Sequence, residues 1–341
     1  MPAVTVIITT FNLDNYIAHC LDDLLKQTMR DFNILIIDDH STDKTAMIVN
    51  NYQSLYPDMI QAVFLSKNLG SSSRTRNAAL DSGMISGEYA VFLDGDDRVE
   101  PDFLECLYSA LKIHNADMAV CSYDRINAGS GQKICDELQW LPDGGTLVNG
   151  DPALAFLNGA IWNKMIRLIT IGDERIPDMK IGEDAAFALN LYSRCNRIAC
   201  VRRNLIHYQV HQGSVITRTD TESIRQFADE LARQYRNAPE KMRQVLVLAA
   251  YLHIALSMMM RAADHNDINL AAQYRWTRDY CRVMFNDFID IKPHMLRKYS
   301  GHVFKGTVIL LSFVCYKHGL LLPALKALQL YTRITGKDIK W

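Results

Sequence analysis

Apolar runs and helical spacings alternate through the first half of the chain. Residues 4–10 (VTVIITT) are continuously apolar or β-branched, as expected of a strand buried on both faces. Residues 14–27 then place Tyr16, Ile17, Cys20, Leu21, Leu24 and Leu25 at helical spacing. The alternation repeats. Strands are predicted over 32–37, 61–65, 88–93 and 116–126. Helices are predicted from the N-cap residues Ser41-Thr42-Asp43 to about Tyr56, over 73–82, and from Pro101 to about His114. Strands separated by helices of this length predict βαβ units, and hence an α/β domain with a mainly parallel sheet and flanking helices. From about Thr221 the pattern changes to long helical stretches over 221–236, 239–263, 267–290 and from Lys292 onward. Two domains follow: 1–218, divided into halves of about 1–115 and 116–218, and an all-helical 219–341.

Composition adds limits. The 341 residues are 49% hydrophobic and 22% charged, which excludes a disordered or fibrous chain, and the net charge of −1 argues against a nucleic-acid binder. The charge is uneven, however: residues 291–341 hold nine Lys/Arg and one acid, Asp338, a local balance of +8. No uninterrupted apolar run reaches the ~18 residues of a spanning helix, and the N-terminus reads as a strand rather than a signal peptide. The eight cysteines form no C-x-x-C pair, so they read as reduced thiols of a cytoplasmic protein rather than a zinc or redox motif.

Two acidic clusters end predicted strands: Asp38-Asp39 and Asp94-Gly95-Asp96-Asp97. In parallel α/β sheets the ligand crevice lies beyond the carboxyl ends of the strands, so both clusters fall on one rim. Neither a G-x-G-x-x-G after the first strand nor a P-loop is present, so a phosphate ligand would not be held by a glycine-rich loop. Carboxylates repel phosphate but hold Mg²⁺ or Mn²⁺, which bridges to phosphate oxygens. In Asp94-Gly95-Asp96 the glycine permits a tight turn, and the alternate acids can converge on one ion.

These signals recur in a fixed order. Val6-Ile7-Ile8-Thr9-Thr10-Phe11-Asn12, Gln27-Thr28 and Ile36-Ile37-Asp38-Asp39-His40-Ser41-Thr42-Asp43 resemble the opening of family-2 glycosyltransferases of the Rossmann-like GT-A fold. Asn68-Leu69-Gly70 with Arg76-Asn77 is similar to that family's Asn-x-Gly…Ala-Arg-Asn segment, with Thr75 where alanine is common. Gly87-Glu88-Tyr89 followed by Phe92-Leu93-Asp94-Gly95-Asp96-Asp97 resembles its D-x-D strand. Trp162-Asn163-Lys164, Gly182-Glu183-Asp184, and Tyr208 to Ser214 with His211 resemble its later segments. His40 replaces the usual glycine or asparagine. The resemblance covers about residues 3–215.

The resemblance implies an inverting, metal-dependent transferase moving a sugar from a UDP-sugar to an acceptor hydroxyl, in the synthesis of a bacterial surface glycan such as an O-antigen, capsule or lipooligosaccharide. Thr9, Asn12 and Asp39 would bind the nucleotide, with Asp39 accepting from uracil N3–H. Arg76, Asp94 and Gly95 would lie near the donor. Asp96 and His211 would hold Mn²⁺ or Mg²⁺. Asp184 would be the general base, and Trp162 and Glu183 would face the acceptor, a glycan or lipid-linked glycan. His207 reads as structural.

Two rival readings are weaker. A haloacid-dehalogenase-like phosphatase shares the D-x-D element, but it wants Thr or Val where Arg98 stands and places the motif on its first strand. A non-catalytic nucleotide-sugar-binding protein would not need every acid of turnover. The basic tail beside apolar clusters at 308–314 and 320–322 fits either an anionic membrane surface, with the protein peripheral on the inner face of the cytoplasmic membrane, or a bundle packed on the catalytic domain. Apolar helices such as 246–260 could supply a homo-oligomer interface.

Overall fold

The computed structural model describes residues 1–211, 220–263, 268–285 and 303–326. Gly213-Ser214, the expected boundary at 218/219 and most of the basic tail lie outside the described residues. The chain forms two compact units. The first comprises Met1–Val148, Gly159–Asp178 and Glu183–Gln212; the second comprises Asn149–Asn158, Met179–Gly182 and Gly213–Trp341.

The first unit is built on one ten-stranded sheet. Its strands are β1 (Val4–Thr10), β2 (Phe32–Asp38), β3 (Ile60–Phe64), β4 (Tyr89–Asp94), β5 (Arg98–Val99), β6 (Met118–Asn127), β7 (Lys133–Glu137), β8 (Thr146–Val148), β9 (Lys164–Arg167) and β10 (Arg197–Val210). The order is β3-β2-β1-β4-β9-β6-β10-β5, with β7 beside β6 and β8 beside β10. The expected parallel pairing holds over β3-β2-β1-β4 and for β6 with β10. The sheet is mixed elsewhere, because β9 runs antiparallel to both of its neighbours, β4 and β6, and β5, β7 and β8 are short antiparallel additions. Those short strands carry too little apolar pattern to be read from sequence.

Six helices accompany the sheet: α1 (Ile17–Leu25), α2 (Thr45–Leu55), α3 (Ser72–Asp81), α4 (Phe103–His114), the single turn α5 (Leu168–Ile171) and α6 (Glu183–Arg194). Ile17, Leu21 and Leu24 of α1 and Phe103, Leu104, Leu107 and Leu111 of α4 bury against Val4, Val6, Ile8, Val91 and Leu93. Helix α1 starts three residues later than its spacing suggests. Leu13 and Asp14 donate their backbone N–H groups to Thr45 Oγ1 (2.7 Å) and Asp43 Oδ2 (3.1 Å), so this segment is tied to the next loop. Pro101 precedes the Asp102 N-cap of α4 rather than occupying its first turn.

The second unit is helical where described: α7 (Thr221–Asn237), α8 (Glu240–Ala262), α9 (Leu270–Met284) and α10 (Val303–Lys317). Asp220 caps α7 by accepting from Ser223 N at 2.8 Å. Helix α8 is long and apolar enough to cross a membrane by length and composition, yet 89% of its most apolar window is buried within the fold. It widens to a π-helix over Tyr251–Met258, where half-buried His253 meets the Phe227 ring edge-on and desolvation depresses its imidazole to about 4. The 246–260 stretch is therefore core, not the oligomer interface expected of it: Leu246, Leu248, Ile254 and Met259 are all inaccessible.

Gly87 shows how closely the site's scaffold is packed. It donates to Thr5 Oγ1 at 3.2 Å, and a Cβ there would lie 2.9 Å from Thr5 N and Val4 C. The obstruction is β1 backbone, which cannot rotate away. Gly87→Ala is expected to destabilise the first unit by about 1–3 kcal/mol, read as a lower denaturant midpoint by near-UV circular dichroism. An unchanged midpoint would show that β1 yields freely.

Candidate active site

The parallel register assembles the acidic rim. Thr9 of β1 lies beside Asp94 of β4 and Ile37 of β2, and Thr10 lies beside Asp38. The two acids of the first cluster then diverge. Asp38 is buried and saturated, accepting from Thr10 Oγ1 (2.9 Å), Ser41 N (2.9 Å) and Ser41 Oγ (2.6 Å). Asp39 accepts from Leu69 N at 2.7 Å, while its own carbonyl accepts from Asn68 Nδ2 at 3.0 Å. The Asn68-Leu69-Gly70 segment is thus fastened to Asp39, with Gly70 at φ +76°. His40 adopts φ +60°, which explains why glycine or asparagine suits this position. Asn12, also left-handed at φ +54°, is exposed and accepts from Thr42 N at 2.8 Å. It clasps the loop after β2.

Arg76 is the centre of the site. It projects from α3, is 4% exposed, and donates through one guanidinium nitrogen to Asp94 Oδ1 (2.5 Å) and through another to Asp184 Oδ1 (2.7 Å). Burial disfavours the charged guanidinium, but Asp184 and Asp94 outweigh it and hold Arg76 above the usual arginine range. Asp184 is itself raised by burial, with Arg76 acting in the opposite direction. Glu183, beside it in the first turn of α6, is pushed to about 7 by burial and by the Asp184 charge. Acids there also complement the helix dipole.

Helix α3 delivers Asp184 as well as Arg76. Asn77 both donates to Ile176 O (2.8 Å) and accepts from Ile176 N (2.9 Å), clamping the segment before α6. Arg74 pairs with Asp178 (2.6 Å) and Arg175 with Asp81 (2.7 Å) along the same junction. Asn77 was legible only as the neighbour of Arg76.

The second acidic cluster continues the rim. Gly95 needs no left-handed turn; a Cβ would come within 3.0 Å of Leu13 and 3.2 Å of Ile17, so close packing explains it. Asp96 Oδ2 lies 3.0 Å from His211 Nε2, and the imidazole meets the Tyr16 ring edge-on at 4.9 Å. Burial and the Asp94 charge raise Asp96, opposed by its bond to the Asp96 backbone and by His211. Asp97 is buried; its Oδ1 accepts from Gln209 N at 3.0 Å, while Oδ2 is buried without a hydrogen-bond partner. Among the described residues no group of three or more His, Cys, Asp or Glu side chains is arranged to hold a metal ion. The Asp96–His211 carboxylate–imidazole pair still fits a hard cation that would draw its remaining ligands from a diphosphate and water.

Other expected residues fall elsewhere. Trp162 was expected to offer a face to the acceptor, but it is 6% exposed, stacked on Tyr208 (5.3 Å, 5°) and met edge-on by Tyr123. That face is taken, so Trp162 packs as core. His207 lies between Asp124 (2.7 Å) and Glu100 (3.0 Å). Lys164, quoted in the sequence motif but given no role, is fully buried, donates to Asn163 Oδ1 (2.8 Å), and is lowered by burial to about 7, opposed by Cys121 and Asp184.

Residues 5–151 match the family described as Glycosyl transferase family 2. Glycosyltransferase GlyA of Streptococcus pneumoniae is 26% identical over 224 residues, covering 62% of this chain and 31% of that protein. Poly(ribitol-phosphate) beta-N-acetylglucosaminyltransferase TarS of Staphylococcus aureus is 24% identical over 310 residues, covering 86% of this chain and 50% of TarS. The chain thus spans between about a third and a half of these relatives. The crystal structure of S. aureus TarS 1–349 in complex with UDP-GlcNAc superposes with a TM-score of 0.69 at 20% identity, covering 97% of this chain and 92% of that one, and so shares the fold. The ordered motifs, the sheet that gathers them and the matched segment lead to one assignment: residues 5–151 match the family-2 glycosyltransferases, and the chain has the GT-A fold.

Proposed function

We propose that the protein transfers a sugar from a UDP-sugar to an acceptor hydroxyl, with inversion, in building a bacterial surface polysaccharide. The observation that carries this reading is the Asp94–Arg76–Asp184 bridge, which couples a carboxylate on the nucleotide rim to a carboxylate placed to accept a proton. TarS, solved with UDP-GlcNAc, supports a uridine donor, and its poly(ribitol-phosphate) acceptor supports a surface polymer. Eight free cysteines suit a cytoplasmic site of action.

Thr9 and Asp39 line the strand ends where the base would dock. Asp96 and His211 would hold Mn²⁺ or Mg²⁺. Held there, the cation would offset the negative charge that develops on the departing diphosphate. Arg76 holds one oxygen of Asp184, leaving the other to take the acceptor proton as the hydroxyl attacks. A single in-line displacement, with no covalent enzyme intermediate, inverts the anomeric carbon. Glu183 beside the base is suited to hydrogen-bond the acceptor.

Calorimetric screening of UDP-sugars with Mn²⁺ tests the donor class directly; absence of binding by any of them would remove this reading. UDP alone should bind the parent more tightly with Mn²⁺ than with a chelator present. Asp96→Ala should abolish that difference, and an equal Mn²⁺ enhancement in the variant would show that Asp96 holds no ion.

Asp184→Asn should keep UDP-sugar affinity and lose about 10²–10⁴-fold in turnover. A base must be ionised, so the parent's rate should fall as pH drops through the raised Asp184 value, giving an acid limb above the ordinary aspartate range. Turnover within about threefold of the parent would exclude the base role.

A further inference from the structure

Helix α10 is apolar on both faces, and among the described residues one face is covered while the other stays open. Ile309, Phe313 and Tyr316 point inward. Tyr251 Oη bonds Ser312 Oγ at 2.9 Å, the Phe313 ring meets Tyr251 edge-on at 5.2 Å, and Tyr316 meets Tyr274 of α9 at 6.0 Å. The opposite face carries Leu311 and Val314, 59% and 43% exposed, with half-buried Val308 and Leu310 at its margins. Leu320, just past the helix, is 56% exposed. A surface helix normally turns charged or polar residues outward. Here the outward stripe carries aliphatic Leu311 and Val314 between Thr307 and His318, in contrast to α7, whose outer positions are Glu222, Arg225, Gln226 and Arg233.

Charge identifies the occupant. Residues 303–326 contain no Asp or Glu. Lys317 and Lys326 are exposed and make no ion pair among the described residues, and the same holds for Arg275 and Arg282 on α9, the helix that packs on α10. A second copy of this surface would set cations against cations. An anionic lipid headgroup layer pairs with the cations while its acyl region takes Leu311, Val314 and Leu320. The 15 residues of α10 rise only about 22 Å, short of a bilayer core of about 30 Å, so the helix would lie on the membrane rather than span it.

We propose that the outward face of α10 and its flanking cations form a docking surface for an anionic membrane. The proposal uses no residue of the donor site, so its test stands apart from the transferase reading. Co-sedimentation of the full chain with phosphatidylglycerol–phosphatidylcholine vesicles should show binding at low salt that is released at about 0.5 M salt, where screening acts over a few ångströms. Neutral phosphatidylcholine vesicles should bind little. Leu311→Glu with Val314→Glu changes only exposed positions and should lower the partition coefficient more than about tenfold. Lys317→Gln with Lys326→Gln, which leaves the apolar stripe untouched and guards against a folding defect in the first variant, should lower it about 30-fold. Absence of pelleting by the parent with anionic vesicles, equal binding to neutral vesicles, or unchanged partitioning of the lysine variant would each overturn the proposal. So would a parent dimer in sedimentation velocity that becomes monomeric in the Leu311/Val314 variant without any lipid binding, since the face would then belong to a second copy.

Discussion

The arrangement of the active site depends on one buried cation. Arg76 lies out of water between two carboxylates, and removing an arginine from water is costly unless its donors are met. Asp94 and Asp184 meet them with charge-assisted bonds of 2.5 and 2.7 Å. A lysine would present a point charge and could not span the two acids with a planar fork. The requirement explains the neighbourhood. Asn77 and Arg74 pin the segment before α6, so that Asp184 arrives where the guanidinium needs it. The third acid in reach, Glu183, is pushed toward its neutral form by burial and by the Asp184 charge.

Much of this was readable in the sequence, for definite reasons. Buried parallel strands leave long apolar runs, so β1, β2, β4 and β6 and the rim they share could be placed closely. The D-x-D acids, Asp39, Arg76 and the Glu183-Asp184 pair stood out through an ordered family resemblance more than through any single pattern. The structure adds what pairing alone decides. Nothing in Ile36-Ile37-Asp38-Asp39 says that Asp38 is consumed by Thr10 and Ser41 while Asp39 turns to Leu69. Nothing local says that the Trp162 face is filled by Tyr208, 46 residues away by numbering. Mixed pairing around β9 was equally hidden, since a four-residue strand carries almost no periodic signal.

The helical unit taught the opposite lesson about apolar stretches. Residues 246–260 read as a surface waiting for a partner, but uniform apolarity there reflects burial on every side of α8. The same composition in α10 has a different meaning because one side stays open. Periodicity distinguishes a half-buried helix from a fully apolar one; it does not say whether the second kind is enclosed.

The Arg76–Asp184 bond joins positions 108 residues apart in the chain, and the Asn77 clamp closes a loop of 99. Contacts at such separation are entropically expensive to close and form late relative to local structure. The nucleotide rim can take shape from the parallel strands alone, but the carboxylate opposite it arrives only when α6 docks on α3. The segment matched by the family, 5–151, therefore ends before Asp184, the base of the proposed reaction. During synthesis the rim can exist for a time with the guanidinium of Arg76 holding only Asp94, so in the proposed reaction the donor-binding rim and the base would be completed at different moments of folding.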